Sequence, residues 1–362
     1  MLPSRTTTAL SRLSMTRVGV IMSPDPANPL EAEGVLNPAS ATRPDGTIEL
    51  FPRIVAAGNR SRVGSARVLL DVEGVPIGVH RTGVVLEADR AWEHGLHHGG
   101  VEDPRITRID SLDCWVMTYV AFGPLGPSPA LAISSDLDTW KRLGPLMFDY
   151  DDTLNTDLNL FPNKDVVVFP EIVPAPDGTP SFAMLHRPMW DLHFSRNGEP
   201  APLPTNIPDD RQSIWISYTP ANRVLEDIRQ LTHLSQHRFV AGPMHNWEAV
   251  KIGAGPAPIR TNDGWVVIHH GVAGTIVGSV FEPQQHLTYA AGALLLDLDD
   301  PSRLVERSEH PLLAPSTEEE RSGTVANVVF PTAVETVDGI SYVFYGMADA
   351  HIGVARLDGL SR

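Results

Sequence analysis

A phrase repeated five times constrains this chain more than any other feature. A proline is followed, seven residues later in four of the copies, by Asp-Gly and then by an apolar run that ends in polar residues. The copies begin at Pro38, Pro104, Pro170, Pro256 and Pro331, and their aspartates are Asp45, Asp113, Asp177, Asp263 and Asp338. In the second copy the spacing is nine, and Ser-Leu-Asp-Cys stands in place of Asp-Gly. Successive aspartates lie 68, 64, 86 and 75 positions apart. Strand-like runs after turn dipeptides at such a period predict an all-β fold, a five-bladed β-propeller.

The repeats set the predicted domain organisation. Residues 34–362 form a single propeller domain, a size that a closed propeller reaches as one unit. Residues 1–33 are read as an N-terminal tail and extended lead-in. Met1 to Ser14 shows no strand pattern, and Ser23–Leu30 holds three prolines. The 86-residue spacing places a polar, Pro-rich insertion over 191–210, expected as a loop on one face. Little helix is expected; residues 221–231 read as one helical turn or as a strand with a polar face.

Equivalent positions of a symmetric scaffold need not carry equivalent chemistry, and the exceptions point to function. The residue before each repeat proline is Asn37, Asp103, Phe169, Gly255 or Phe330. Asp103 is the one carboxylate among them and the first candidate for chemistry. The plain alternative is an Asp turn before a proline. Asp103 stands in Gly-Val-Glu-Asp-Pro-Arg-Ile-Thr (100–107), where strand alternation sends Glu102 and Asp103 different ways. One of them can face a pocket while the other braces Arg105. A carboxyl acting as general acid needs a raised pKa, from burial or a neighbouring carboxylate such as Glu102.

Further motifs end apolar runs in polar groups. Asn163-Lys164-Asp165 precedes a wholly apolar strand that leads to Glu171, which places Lys164 at a strand mouth to meet an anion or a sugar hydroxyl. His186-Arg187, Trp247-Glu248 with Lys251, His269-His270, and Tyr345 through Asp349 stand at comparable places. One histidine so placed reads as a structural residue. Several endings together, with Arg53, Tyr119, His186, His270 and Asp349 among them, predict a shared polar funnel. His94, His97 and His98 match no metal-ligand spacing, and no dinucleotide, P-loop or nucleophile-elbow motif is present. No metal or cofactor is expected.

Composition excludes several partners. The formal net charge of −16, with no basic stretch to offset it, argues against nucleic acid and anionic membranes. An anionic substrate would need a local cationic pocket; a neutral sugar would not. The lone Cys114 sits in a strand run, allows no disulfide framework, and reads as a buried thiol. With no apolar stretch long enough for a span or leader, a cytoplasmic protein is expected.

Taken as an ordered set, these motifs resemble glycoside hydrolase family 130. The resemblance runs from about Gly34 to Ala355 and rests on GVEDPRIT (100–107), NKDVVVFPE (163–171), LHRP (185–188), KIGAGPAPI (251–259), GWVVIHHGV (264–272) and the run 327–349. It implies a five-bladed propeller enzyme that cleaves β-mannosides with inversion, most members using inorganic phosphate and releasing α-mannose 1-phosphate. By this resemblance Asp103 is the general acid, and Lys164 with Arg60, Arg105 and Arg187 holds phosphate. Asn59, Glu102, Asn163, Asp165, His186, His270, Tyr345 and Asp349 contact the sugar. Phosphate is then a co-substrate and a small β-mannoside the other partner. The linkage, the reducing-end sugar and any homo-oligomer are left open.

One departure bears on the acceptor. The strand at Pro127-Ser128-Pro129-Ala130 lacks an arginine that the phosphorylases often carry there. If water is the acceptor, an inverting hydrolase needs a carboxylate base about 6.5–9.5 Å from the acid. Glu171 and Glu248 are the candidates for it. A non-catalytic sugar-binding propeller is the third reading.

Overall fold

The computed structural model describes residues 9–95, 98–190, 203–205, 207–277, 284 and 286–361. The described chain is all-β, with its strands in consecutive antiparallel groups. The first comprises Gly34–Thr42, Ile48–Ala56, Arg60–Leu70 and Pro76–Leu86; the second comprises Gly99–Ile109, Cys114–Gly123, Gly126–Ser134 and Lys141–Pro145. These two are joined into one sheet by a short parallel contact, Arg60 opposite Gly99 and Ser61 opposite Gly100. The third group is built on Asn163–Val168, Pro180–Pro188, Ile214–Pro220 and His233–Ala241. The fourth is built on Lys251–Ala254, Gly264–Gly274, Leu287–Leu296 and Leu304–Arg307. The last contains Val329–Val337, Ile340–Met347 and His351–Asp358.

The repeat dipeptides make the hairpins. Asp45 and Asp177 each accept from the backbone N–H two residues on, at Thr47 and Thr179, both at 2.9 Å. Gly46 and Gly178 follow with φ of 85° and 82°, a turn conformation that glycine adopts without steric cost. Strand alternation then divides the apolar side chains between two faces. Val166 and Val168 pack toward the second group, while Val167 and Phe169 pack toward the fourth. Burial on both faces explains why this run is continuously apolar.

Five apolar clusters fill the spaces between neighbouring groups. They join the first to the second, second to third, third to fourth, fourth to fifth, and fifth to first. Cys114 is buried in the cluster between the second and third groups.

The stretch read as tail and lead-in is partly structural. Ser14–Met22 is a strand that pairs antiparallel with His351–Asp358, from Ser14 opposite Asp358 to Met22 opposite Ile352. Alternation is weak there because the strand is an outer edge with little of its length buried, so the sequence carries little period-2 signal. Residues 221–231 are helical, Ala221–Glu226 as one α-turn followed by a 3-10 turn at Ile228–Thr232. Most of the 191–210 insertion lies outside the described residues, as does His97. No helix among the described residues is long and apolar enough to cross a membrane.

Candidate active site

The first strands of three consecutive groups share one irregularity. Each carries a β-bulge, between Leu36 and Ala39, Glu102 and Arg105, and Lys164 and Val167. At each bulge sits an Asn or Asp in the left-handed conformation: Asn37 at φ 41°, Asp103 at 45° and Asp165 at 56°. These are the residue types that tolerate positive φ best after glycine, and a bulge re-aims a side chain out of the alternating pattern. All three line a single cavity of about 770 Å³.

Arg53 organises one wall of it. Its guanidinium donates to Glu102 at 2.9 Å, to Asp103 Oδ1 at 3.1 Å and to Ser61 Oγ at 2.9 Å. Asn37 Nδ2 donates to the same Asp103 oxygen at 2.8 Å. Lys164 Nζ lies 3.6 Å from Glu102 Oε2 and over the Phe122 ring. Burial pushes the Asp103 carboxyl up, but Arg53, Lys164, Arg105 and the Asn37 hydrogen bond together hold it below the usual range. In the free protein Asp103 is therefore ionised. Asp349, half-buried in the same cavity, is pushed from 3.8 to about 6, by burial first and by Asp103 and Glu102 in addition, against the pull of Arg53.

The adjoining wall is built on Asp165. Arg187 Nε donates to Asp165 Oδ2 at 2.6 Å and also holds Gln212. His270 Nε2 is 3.5 Å from the same oxygen, and burial pushes His270 down to about 3, so its ring is neutral. Gly253 permits this meeting: a Cβ there would stand 2.2 Å from Asp165 Oδ2 and 2.5 Å from His270 Cε1. Lys251 completes the wall, with its ammonium over the Tyr289 ring at 5.6 Å. Lys164, Arg187 and Lys251 thus join Arg53 as cations that line one cavity.

Of the residues singled out from sequence, Asn59, Glu102, Asp103, Lys164, Asp165, Arg187, His270 and Asp349 line the cavity. The others stand elsewhere. Arg105 is buried behind the wall. Its guanidinium donates to the carbonyls of Gly255 at 3.0 Å and Asp103 at 2.9 Å, and it is positioned to brace the bulge rather than to meet an anion. Arg60 is exposed at a strand start and is not among the lining residues. Asn163 and His186 are buried against each other at 3.0 Å. Asn163 also accepts from the Arg187 N–H at 3.1 Å, so the pair positions Arg187. Tyr345 donates to buried Glu320 at 3.0 Å, away from the cavity. Tyr119 likewise donates to Glu93 at 2.7 Å.

Neither carboxylate considered as a hydrolytic base reaches the cavity. Glu171 is 44% exposed and paired with Arg260. Glu248 is fully buried. It accepts from the N–H groups of Met244 and His245 and pairs with His269 at 3.1 Å and with Arg307. These donors hold Glu248 down to about 2 despite its burial. Its contacts are those of a structural brace.

Asn37, Lys251 and Tyr289 are functional candidates that sequence reasoning left without a role; Arg53, read there as part of the polar funnel, lines the cavity. Asn37 occupies the position equivalent to Asp103 in the first copy, and that equivalence was the available signal. Among the described residues, no group of three or more His, Cys, Asp or Glu is placed to hold a metal ion.

Comparison with known proteins identifies the family. The family model of glycoside hydrolase family 130, described as beta-1,4-mannooligosaccharide phosphorylase, matches residues 6–359. A 1,2-beta-oligomannan phosphorylase of Thermoanaerobacter sp. (strain X514) is 32% identical over 72% of this chain and 68% of its own length. A beta-1,4-mannooligosaccharide phosphorylase of Ruminococcus albus is 34% identical over 78% and 70%. The beta-1,2-mannobiose phosphorylase structure from Listeria innocua shares the fold, with a TM-score of 0.66 at 19% identity over 96% of each chain. The chain belongs to glycoside hydrolase family 130.

Proposed function

We propose that this protein is an inverting β-mannoside phosphorylase built on a five-bladed β-propeller. Supporting the architecture are the five strand groups and the five apolar clusters that join them in cyclic order. The strand Ser14–Met22 completes the last blade, so the domain extends N-terminal to residue 34. A single buried cysteine accords with a reducing compartment and hence with the cytoplasm.

The observation that carries the reaction is the convergence of Asp103 with Lys164, Arg187 and Lys251 on one cavity. In the proposed step a phosphate oxygen bonds to the anomeric carbon from the face opposite the leaving group. The bond from that carbon to the leaving oxygen breaks, and that oxygen takes the proton of Asp103. The products are α-mannose 1-phosphate and the free alcohol. No protein base is required, because phosphate is already an anionic nucleophile.

Asp103 is ionised in the free protein, and phosphate itself supplies the remedy. An anion seated against Lys164 cancels part of the field that depresses the Asp103 carboxyl, and its own charge disfavours a second anion nearby. The acid thus acquires its proton as the co-substrate binds. Lys251 stands on the phosphate side and offsets the arginine absent at Pro127-Ser128.

The test is incubation with β-1,2- and β-1,4-mannobiose and with p-nitrophenyl β-mannoside, with and without phosphate. α-Mannose 1-phosphate formed only when phosphate is present is the expected result. Mannose released at equal rates without phosphate would overturn it in favour of hydrolysis. Binding without turnover, unchanged by Asp103→Asn, would point to a sugar-binding propeller.

A further inference from the structure

The cavity has two chemically different halves. Most of the charged side chains stand within the strands, while apolar side chains stand at or just beyond the strand ends of three consecutive groups. Phe122 and Pro127 face each other across the hairpin of the second group. Pro162 and Met189 flank the third, joined by a 2.8 Å bond from the Met189 N–H to the Pro162 carbonyl. Ile276 and Leu287 extend the paired ends of the fourth, where Gly274 lies opposite Leu287. All six line the cavity. At its edge Ile276 is 47% exposed, and Leu125, in the hairpin loop beside Phe122, is 82% exposed.

Of the polar side chains that line this end, Glu33, Thr324 and Gln284 are already engaged by the protein, and Asn59 and His98 stand beside them. Glu33 accepts from the N–H groups of Gly58 at 2.7 Å and Asn59 at 2.9 Å. Thr324 donates to the Glu33 carbonyl at 3.4 Å. Gln284 both accepts from the Val277 N–H at 3.1 Å and donates to the Val277 carbonyl at 2.9 Å. A second sugar seated here would bring several hydroxyls out of water against alkyl and proline surface, and hydroxyls left without partners oppose binding. An alkyl chain or aryl ring loses nothing by the same transfer, and exposed apolar surface at a cavity mouth favours such an occupant.

We propose that the leaving-group side of this cavity takes an apolar alcohol, alkyl or aryl, so that the preferred substrate is a β-mannoside with an apolar aglycone. This rests on the phosphorolysis reading. The bonds made and broken are those given above, with the apolar alcohol as the departing group.

The test is phosphorolysis of a homologous series, methyl to octyl β-mannoside, beside both mannobioses, with α-mannose 1-phosphate as the product measured. The expected result is a rise in kcat/KM of about three- to fourfold per methylene while the chain lies within the rim, the factor that burial of one methylene gives. Octyl mannoside should then exceed either mannobiose at least tenfold. Ile276→Asn should flatten the rise several-fold, lowering kcat/KM for octyl mannoside far more than for methyl mannoside. A flat series with good mannobiose turnover would overturn this proposal alone. Phosphate-independent release, or no sugar phosphate from any of these substrates, would overturn the phosphorolysis reading and this proposal with it.

Discussion

Asn37 and Asp103 occupy the same left-handed bulge of successive strand groups, and the Asn37 side chain donates to Asp103 Oδ1 at 2.8 Å. The neutral amide at one bulge thus holds the carboxylate at the next. A carboxylate in place of this amide would put like charges in contact and raise the proton affinity of Asp103. Asn37→Asp should therefore move the alkaline limb of the kcat profile to higher pH, measured at saturating mannoside and phosphate. Asn37→Ala should move it the same way by less. Asp103→Asn should lose 10²- to 10⁴-fold in turnover, the usual contribution of a positioned general acid. An Asn37→Asp profile superposable on the wild type would sever the link between these two residues.

Lys164 faces both Asp103 and the phosphate side, so its removal should act twice. A charge-assisted hydrogen bond contributes about 1.5–3 kcal/mol, or roughly 10- to 100-fold in binding. Lys164→Met should raise KM for phosphate by that factor. It should also release part of the depression of Asp103 and shift the alkaline limb upward. A change in KM for phosphate with no shift of the limb would confine Lys164 to anion binding.

The cavity was legible in sequence where chemistry and repeat coincide, and obscure where a bulge breaks the count. Asp103 stood out as the one carboxylate among the five residues that precede a repeat proline, and Lys164 and Asp165 because polar residues rarely abut so apolar a strand. Counting back from the turn at Asp177 aligned Phe169 with Asp103, whereas the bulge makes Asp165 the equivalent. A carboxylate therefore occupies two bulges and not one. Arg105 looked like a phosphate ligand because its charge is visible in sequence and its burial is not. Glu171 and Glu248 drew notice as carboxylates near motifs, but partners contributed by distant strands, Arg260 and Arg307, decide their roles.

Asp349 couples function to stability. Its carboxyl is raised from 3.8 to about 6 in the fold, chiefly by burial. Between those values the folded protein holds a proton that the unfolded chain has lost. The stabilising effect is thus fully present below pH 3.8 and lost as pH rises through 6. Asp349→Asn should match the wild type in thermal midpoint at pH 4 and exceed it at pH 8, with mannoside turnover reduced. A midpoint difference independent of pH would show that Asp349 carries its charge without cost.

Gly253 sets the approach of Asp165 to His270. A Cβ at this position would overlap both, at 2.2 Å and 2.5 Å, and crowding of this kind in a packed site costs about 1–3 kcal/mol. Gly253→Ala should lower the denaturation midpoint accordingly. By displacing Asp165 it should also loosen Arg187 and weaken phosphate binding. Retained affinity for phosphate in a destabilised variant would mean that Arg187 is held by Asn163 and Gln212 alone.

The two glutamates outside the cavity should separate by stability and not by chemistry. The Glu171–Arg260 pair is solvent-exposed, and pairs of that kind contribute about 0–1 kcal/mol. Glu171→Gln should therefore change neither the midpoint nor the turnover by a measurable amount. Glu248 is buried with Arg307 and His269, and breaking such a pair leaves an uncompensated charge at a cost of about 3–5 kcal/mol. Glu248→Gln should unfold at much lower denaturant concentration while its folded fraction keeps the wild-type turnover per molecule. If either variant lost turnover by orders of magnitude with its fold intact, that glutamate would be a catalytic base, and water would replace phosphate as the acceptor.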